Sequence, residues 1–187
     1  MCIRDRGYSY HPSKVNEMQP GLDFDLLGAQ LEACKEIGVN APVYICAGLD
    51  EKEAVRHPEW LIRNADESTT WVPDFTTVAG FHRLCTNNTY LDMLVDEIEE
   101  VMQRYDPCGV FLDITGLYPC YCANCRREIE EHGGDFTNPQ DVMEQAERVY
   151  QRYLKRTEEA VRKYSSTATI FHNAGHLTRG RRDHTAA

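Results

Sequence analysis

Apolar residues recur every three to four positions in several stretches of this chain, and short continuous apolar runs lie between them. In residues 22–37 one face carries Leu26, Ala29, Ala33 and Ile37, with Leu27, Leu31 and Cys34 beside it. That pattern predicts a helix, stopped by Gly38. Residues 41–47 read as a short strand, with Pro42 tolerable at its start. Residues 88–105 hold the clearest stripe, Leu91, Leu94, Val95, Ile98, Val101, Met102 and Tyr105. Asn87, Asn88 or Thr89 can cap that helix. A second strand is predicted over 109–114. A short helix follows over 122–132, ending at Gly133 and Gly134. A long helix spans 139–164, with Asn138 as cap and proline at its first position. Its predicted buried face is Val142, Ala146, Val149, Tyr153, Ala160 and Tyr164. Residues 168–173 make a third strand. Between the first strand and the second helix, residues 48–87 show little periodicity apart from a helical turn near Glu51 to Arg56. Connections of that length in compact domains are uncommon and often functional.

Helices alternating with strands argue for a parallel sheet, in an α/β fold. An open doubly wound sheet and part of a closed barrel both satisfy the order. No strand is followed by a glycine-rich turn, so no dinucleotide or other organic cofactor is expected. The 187 residues fall short of the roughly 250 of a complete (β/α)8 barrel. Residues 1–6 fit nothing that follows and read as a foreign leader. The domain is then 7–187, with both ends expected to be cut from a longer protein.

Composition narrows the class. At 42% hydrophobic and 27% charged the chain is ordinary globular material. A net charge of −10 disfavours nucleic-acid partners. The basic run Arg179 to Arg182 is too short to alter that. No apolar run is long enough for a bilayer span, and no secretory signal opens the chain, so a cytoplasmic setting is expected. Of the eight cysteines, Cys34, Cys46 and Cys108 are expected on core faces as small hydrophobes.

The densest chemistry is Cys120-Tyr-Cys-Ala-Asn-Cys125, seven residues past Asp113 at the end of the second strand. Three thiols there, with Cys85 upstream, have the number and spacing of a closed zinc site. Four reduced thiols, or a redox pair at Cys122 and Cys125, are the plainer alternatives. The strand ends collect Asp50, Asp113, Thr115, His172, Asn173 and His176. In a parallel sheet these ends converge on one face. Glycoside cleavage needs carboxylates there, about 5 Å apart in retaining enzymes. Asp113 is the best candidate, against a plain role in binding loop N–H groups. His172 fits a satisfied core histidine. Asn173, facing the other way, can bind a sugar hydroxyl. Trp60 and Trp71, with Tyr8, Tyr10 and Tyr118, can form an aromatic wall for sugar C–H faces; plugging the loop is the commoner fate of such rings.

These motifs together resemble a known family. Gly7-Tyr-Ser-Tyr-His-Pro12, Asp25-Leu-Leu-Gly-Ala-Gln30, His57-Pro-Glu-Trp60, Leu84-Cys-Thr-Asn-Asn-Thr-Tyr90, Asp106-Pro-Cys-Gly-Val-Phe-Leu-Asp113, the cysteine run and Ile170-Phe-His-Asn-Ala-Gly-His176 are similar to the hypothetical glycosyl hydrolase 6 family. That family is related to the α-L-fucosidases of glycoside hydrolase family 29 and the β-galactosidases of family 42. The resemblance implies an incomplete (β/α)8 TIM barrel, with parallel strands near 41–47, 109–114 and 168–173. It implies glycoside or oligosaccharide substrates, with Tyr10, His11, Trp60, Asn173 and His176 at the sugar. Structural zinc on Cys85, Cys120, Cys122 and Cys125 is implied by similarity to family 42. Asp113 is implied as the nucleophile, although the matching strand of family 42 carries an acid/base glutamate. Cys108 stands where an aspartate is usual. The second carboxylate has no matching position, so this piece alone is expected to be inactive. A homo-oligomer of the full-length protein is compatible with all of this. A non-catalytic carbohydrate-binding barrel and a zinc-dependent interaction or redox module are the rival readings.

Overall fold

The computed structural model describes residues 2–5, 7–69, 71–73 and 80–173. It is a mixed α/β unit built on a five-stranded sheet of order β2-β1-β3-β6-β7. The strands are β1 (Cys2–Asp5), β2 (Tyr8–Ser9), β3 (Val43–Cys46), β6 (Gly109–Asp113) and β7 (Thr169–Asn173). β1, β3, β6 and β7 run parallel, and β2 folds back antiparallel on β1. The helices are α1 (Leu26–Glu36), α2 (Glu51–Arg56), α3 (Tyr90–Tyr105), α4 (Ala123–Glu131) and α5 (Pro139–Arg162). The opening residues pair as β1 between β2 and β3. The long connection after β3 is less irregular than its pattern suggests. It carries α2, a 3-10 turn at Pro58–Trp60, and a hairpin of β4 (Trp71–Pro73) with β5 (Gly80–His82). No helix among the described residues is long and apolar enough to cross a membrane.

Strand alternation sorts the core. Val43 and Ile45, Val110 and Leu112, and Ile170 pack with Leu94, Ile98, Val101 and Met102 of α3 and Tyr150, Tyr153, Ala160 and Val161 of α5. The helix faces of α3 and α5 follow the predicted stripes. Asn88 caps α3, its side-chain oxygen accepting from the Tyr90 N–H at 2.8 Å. Asn138 does the same for α5, accepting from Gln140.

α1 differs from its expected face. Asp25 caps it, accepting from the Gly28 N–H, so it begins four residues later than predicted. Its buried line is Leu27, with Leu31 packed beside it. Ala29 and Ala33 are exposed and Ile37 is 75% exposed. Two adjacent apolar stripes fit the same helical period, and the bulkier leucine stripe fills the space under the sheet. Cys34 and Cys46 are half-buried and Cys108 is exposed, so none of the three is a core thiol. Cys46 falls on the strand parity that faces away from the helices, and Cys108 sits in the turn before β6.

His172 behaves as a core histidine. It is 3% exposed on the helix side of β7, with Tyr153 Oη 3.1 Å from its Nδ1. Burial lowers its pKa from 6.5 to about 4. The unfolded chain therefore takes up this proton as pH falls through 6.5, while the folded chain resists until about 4. The contribution to stability is complete above pH 6.5 and is lost toward pH 4, on the order of 3 kcal/mol in all. Urea titrations between pH 7 and 5 should show wild type losing stability on acidification and His172→Gln losing less. Parallel curves for the two proteins would contradict this.

Candidate active site and metal centre

The face of the sheet opposite the helices carries the other parity of residues. Tyr44, Phe111 and Phe171 align across β3, β6 and β7, and one rung further on Cys46, Asp113 and Asn173 align in the same way. The aromatic row is stacked, with ring centroids 5.7 Å apart for Tyr44 and Phe111 and 4.8 Å for Phe111 and Phe171. Asp113 ends β6, half-buried, with a donor from each neighbouring strand. Tyr44 Oη donates to Oδ2 at 2.6 Å, and Asn173 Nδ2 donates to Oδ1 at 2.7 Å.

The backbone turns sharply just past Asp113. Ile114 has φ +57°, a conformation in which a β-branched residue is a genuine outlier. Such strain persists where the surroundings over-determine it. Here Ala47 N–H donates to the Asp113 carbonyl and Thr115 N–H to the Asn173 carbonyl, at 3.0 and 3.2 Å. Gly48, after β3, makes room for the kink: a Cβ there would lie 1.9 Å from the Ile114 carbonyl oxygen.

The loop leaving this kink leads to the cysteines. Cys120 and Cys122 come from the loop, Cys125 from the first turn of α4, and Cys85 from the segment before α3. Their four sulfurs lie within 4.8 Å of one another. Cys85 Sγ is 3.6 Å from Cys125 Sγ and 3.9 Å from Cys122 Sγ. A tetrahedral metal with sulfurs at about 2.3 Å requires sulfur separations of about 3.8 Å. The residues are between 2% and 5% exposed, with Ile62 and Tyr118 packed around them. Asn87 supports two sulfurs, its N–H donating to Cys85 and its side-chain amide to Cys125. Asn124 ties the two segments together by donating to the Asn87 carbonyl.

The thiols divide their protons unequally. Hydrogen bonds from Cys120, Cys125 and Cys85 push the Cys122 thiol far down. Hydrogen bonding to Cys120, then Cys122 and Cys125, together with burial, pushes the Cys85 thiol well up. A second negative charge in so small a volume is penalised by the first. A divalent cation removes that penalty. Donor type, spacing and burial all fit a thiolate-bound metal.

The structure scatters the remaining expected sugar-binding residues. Asn173 is at Asp113, but its amide is given to the carboxylate. His11 is buried against α3, Nε2 3.3 Å from Glu100 and ring edge-on to Tyr105. Tyr10 is half-buried, its carbonyl accepting from Leu27 N–H. Trp60 stacks on His57 at 3.8 Å and packs on a buried cluster of Ala54, Leu61, Leu84 and Tyr90. It plugs the loop. Tyr118 packs beside the cysteines with Arg83 4.3 Å from its ring centre. His176 lies outside the described residues, and only the strand pairing of Trp71 is described.

Sequence reasoning missed Tyr44, Gly48 and Ile114. A tyrosine inside a short apolar strand was a usable signal, because a half-buried phenol needs a hydrogen-bond partner. The kink at Ile114 left none.

A carboxylate held at the end of a parallel strand, with a buried four-cysteine cluster further along the loop that leaves it, belongs here to a chain related to the glycoside hydrolases. The chain is a member of the family described as hypothetical glycosyl hydrolase 6, whose profile matches residues 1–114 and thus includes Asp113 and Cys85. Among solved structures, α-L-fucosidase isoenzyme 2 from Paenibacillus thiaminolyticus matches with 43% identity and a TM-score of 0.91, over 97% of this chain and 28% of that one. The β-galactosidase from Bacillus circulans sp. alkalophilus shares the fold at 14% identity and TM-score 0.61, over 91% of this chain and 31% of that one. The α-galactosidase TtGalA from Thermus thermophilus does so at 14% and 0.57, over 88% and 31%. A comparison with curated proteins returns no match. The chain spans less than a third of the length of each of these enzymes.

The contact between Gly48 and Ile114 gives a direct test. Gly48→Ala should destabilise the protein by at least about 2 kcal/mol, because the new methyl group meets backbone and cannot be relieved by a rotamer change. Urea unfolding reads this, and an unchanged midpoint would refute the close approach.

Proposed function

We propose that the intact protein carrying this chain is a retaining (β/α)8-barrel glycoside hydrolase acting on α-L-fucosides, with Asp113 as its nucleophile. The observation that carries this reading is the superposition on an α-L-fucosidase at 43% identity over nearly the whole chain. The β-galactosidase and α-galactosidase matches at 14% identity speak for the fold alone. A helix-backed parallel sheet whose other face bears an aromatic row and a carboxylate is what one wall of such a barrel requires.

In this mechanism a carboxylate oxygen of Asp113 attacks the anomeric carbon. The bond to the aglycone oxygen breaks, and that oxygen takes a proton from an acid supplied by another part of the intact protein. Water, deprotonated by the same group, then cleaves the glycosyl ester and restores the Asp113 carboxylate. Donors from both sides hold Asp113 in place, so little orientation remains to be gained during attack.

The cage residues Cys85, Cys120, Cys122 and Cys125 are assigned to structural zinc. Zinc bound there would cross-link the loop after β6 to the start of α3 and contribute folding free energy. Deep burial of all four sulfurs disfavours an interaction or redox module, which needs them accessible.

Two experiments test these assignments. On nitrophenyl α-L-fucoside, Asp113→Asn in the intact enzyme should lose at least about a thousandfold in kcat with its melting temperature within a few degrees of wild type. Activity within about tenfold would remove Asp113 from the chemistry. Wild type that binds fucose without cleaving any nitrophenyl glycoside would instead mark a non-catalytic sugar-binding barrel. For the cage, metal analysis should find one zinc per chain. Cys122→Ser should lower that content and cost at least about 3 kcal/mol of stability. Unchanged melting and no zinc in wild type would dismiss the metal.

A further inference from the structure

We propose that Tyr44 is a positioning residue that fixes Oδ2 of Asp113 and leaves Oδ1 as the oxygen that attacks the sugar. The inference rests on the preceding reading of Asp113 and goes beyond it by assigning the two carboxylate oxygens different tasks. Tyr44 lies two residues before Cys46 on β3, and Cys46 is level with Asp113. The two side chains therefore share a face, with Tyr44 one rung lower. The length of a phenol spans that rung and brings its hydroxyl to Oδ2 at 2.6 Å. An ionised carboxylate can only accept, so the tyrosine donates. That separation is in the range of charge-assisted O–H···O bonds, the stronger class.

The two donors are held differently. The Tyr44 ring is half-buried and stacked 18° from parallel on Phe111, which stacks in turn on Phe171. Its hydroxyl has little freedom to leave. Asn173 ends β7, and its amide meets Oδ1 at 2.7 Å as a neutral donor outside the ring stack that holds Tyr44. A sugar arriving at Asp113 can displace the amide from Oδ1 but not the phenol from Oδ2. Once displaced, the Asn173 amide is free to meet a sugar hydroxyl, so both its observed partner and a sugar contact belong to one cycle. His172 points to the helix side of β7, and Cys46 is the other titratable side chain level with Asp113 on the strands beside it.

The test compares Tyr44→Phe and Asn173→Ala in the intact enzyme. Losing a donor to the ionised form disfavours ionisation. Tyr44→Phe keeps the stack, so its melting temperature should stay within a few degrees. The acidic limb of its kcat/KM profile, which reports the free enzyme, should rise, and kcat should fall about tenfold with KM nearly unchanged. Asn173→Ala should mainly raise KM and move that limb less. An unmoved limb in Tyr44→Phe, or a larger shift in Asn173→Ala, overturns the proposal. If Tyr44→Phe fails to fold, a fluorotyrosine at position 44, a stronger donor of nearly the same shape, should move the limb downward; no movement overturns it equally. If wild type cleaves no glycoside, the catalytic reading fails separately. The Asp113 carboxyl carbon, titrated by NMR in wild type and Tyr44→Phe, then decides the Tyr44 assignment by a rise in the variant or by none.

Discussion

Three parallel strands in level register place one residue from each in every row, and the pleat sends alternate rows to opposite faces. Here the rows are Val43, Val110, Ile170; Tyr44, Phe111, Phe171; Ile45, Leu112, His172; and Cys46, Asp113, Asn173. The first and third rows bury against α3 and α5, and the second and fourth face the other way. A slip of one residue on β6 would drive Asp113 into the helix layer and turn Val110 and Leu112 out. Hydrophobic burial therefore enforces the register, and the register alone brings Tyr44 and Asn173 to the carboxylate. The core and the site share a single cause.

The cysteine cluster would be a second fastening, where the first weakens, once a metal is bound. Beyond Asp113 the chain leaves the ladder through a left-handed residue, Ile114, and enters a loop without regular secondary structure. Within seven residues it reaches Cys120, and by Cys125 it is bound into a cluster that includes the segment leading to α3. The loop is held at one end by strand pairing, and a metal on the four sulfurs would hold the other. Asn87 and Asn124 add hydrogen bonds between the same two segments.

The layered fold was legible where burial is one-sided. α3 and α5 present single broad stripes, and β6 is an unbroken apolar run, so pattern and structure agree. α1 was misjudged because it offers two neighbouring stripes of similar hydropathy, and only the shape of the surface beneath chooses between them. The hairpin within residues 48–87 was invisible because its strands are three residues each, too short for alternation to register. Of the site, the thiols and Asp113 announced themselves by residue type and spacing. Tyr44 did not, since its role depends on a partner 69 residues away and on the register that joins them. Trp60 and His11 are residue types suited to sugars; here the first stacks on His57 and the second lies 3.3 Å from Glu100.

The approach of Gly48 to Ile114 makes the loops after β3 and β6 a mechanical pair. The first leads into α2, whose cap Asp50 is fully buried, and the second into the sulfur cluster. Neither can be lengthened, exchanged or given a side chain at the contact without rerouting the other. Variation in this lineage, natural or engineered, must therefore treat the two segments as one inherited module, and new specificity is more readily found in connections that do not touch them.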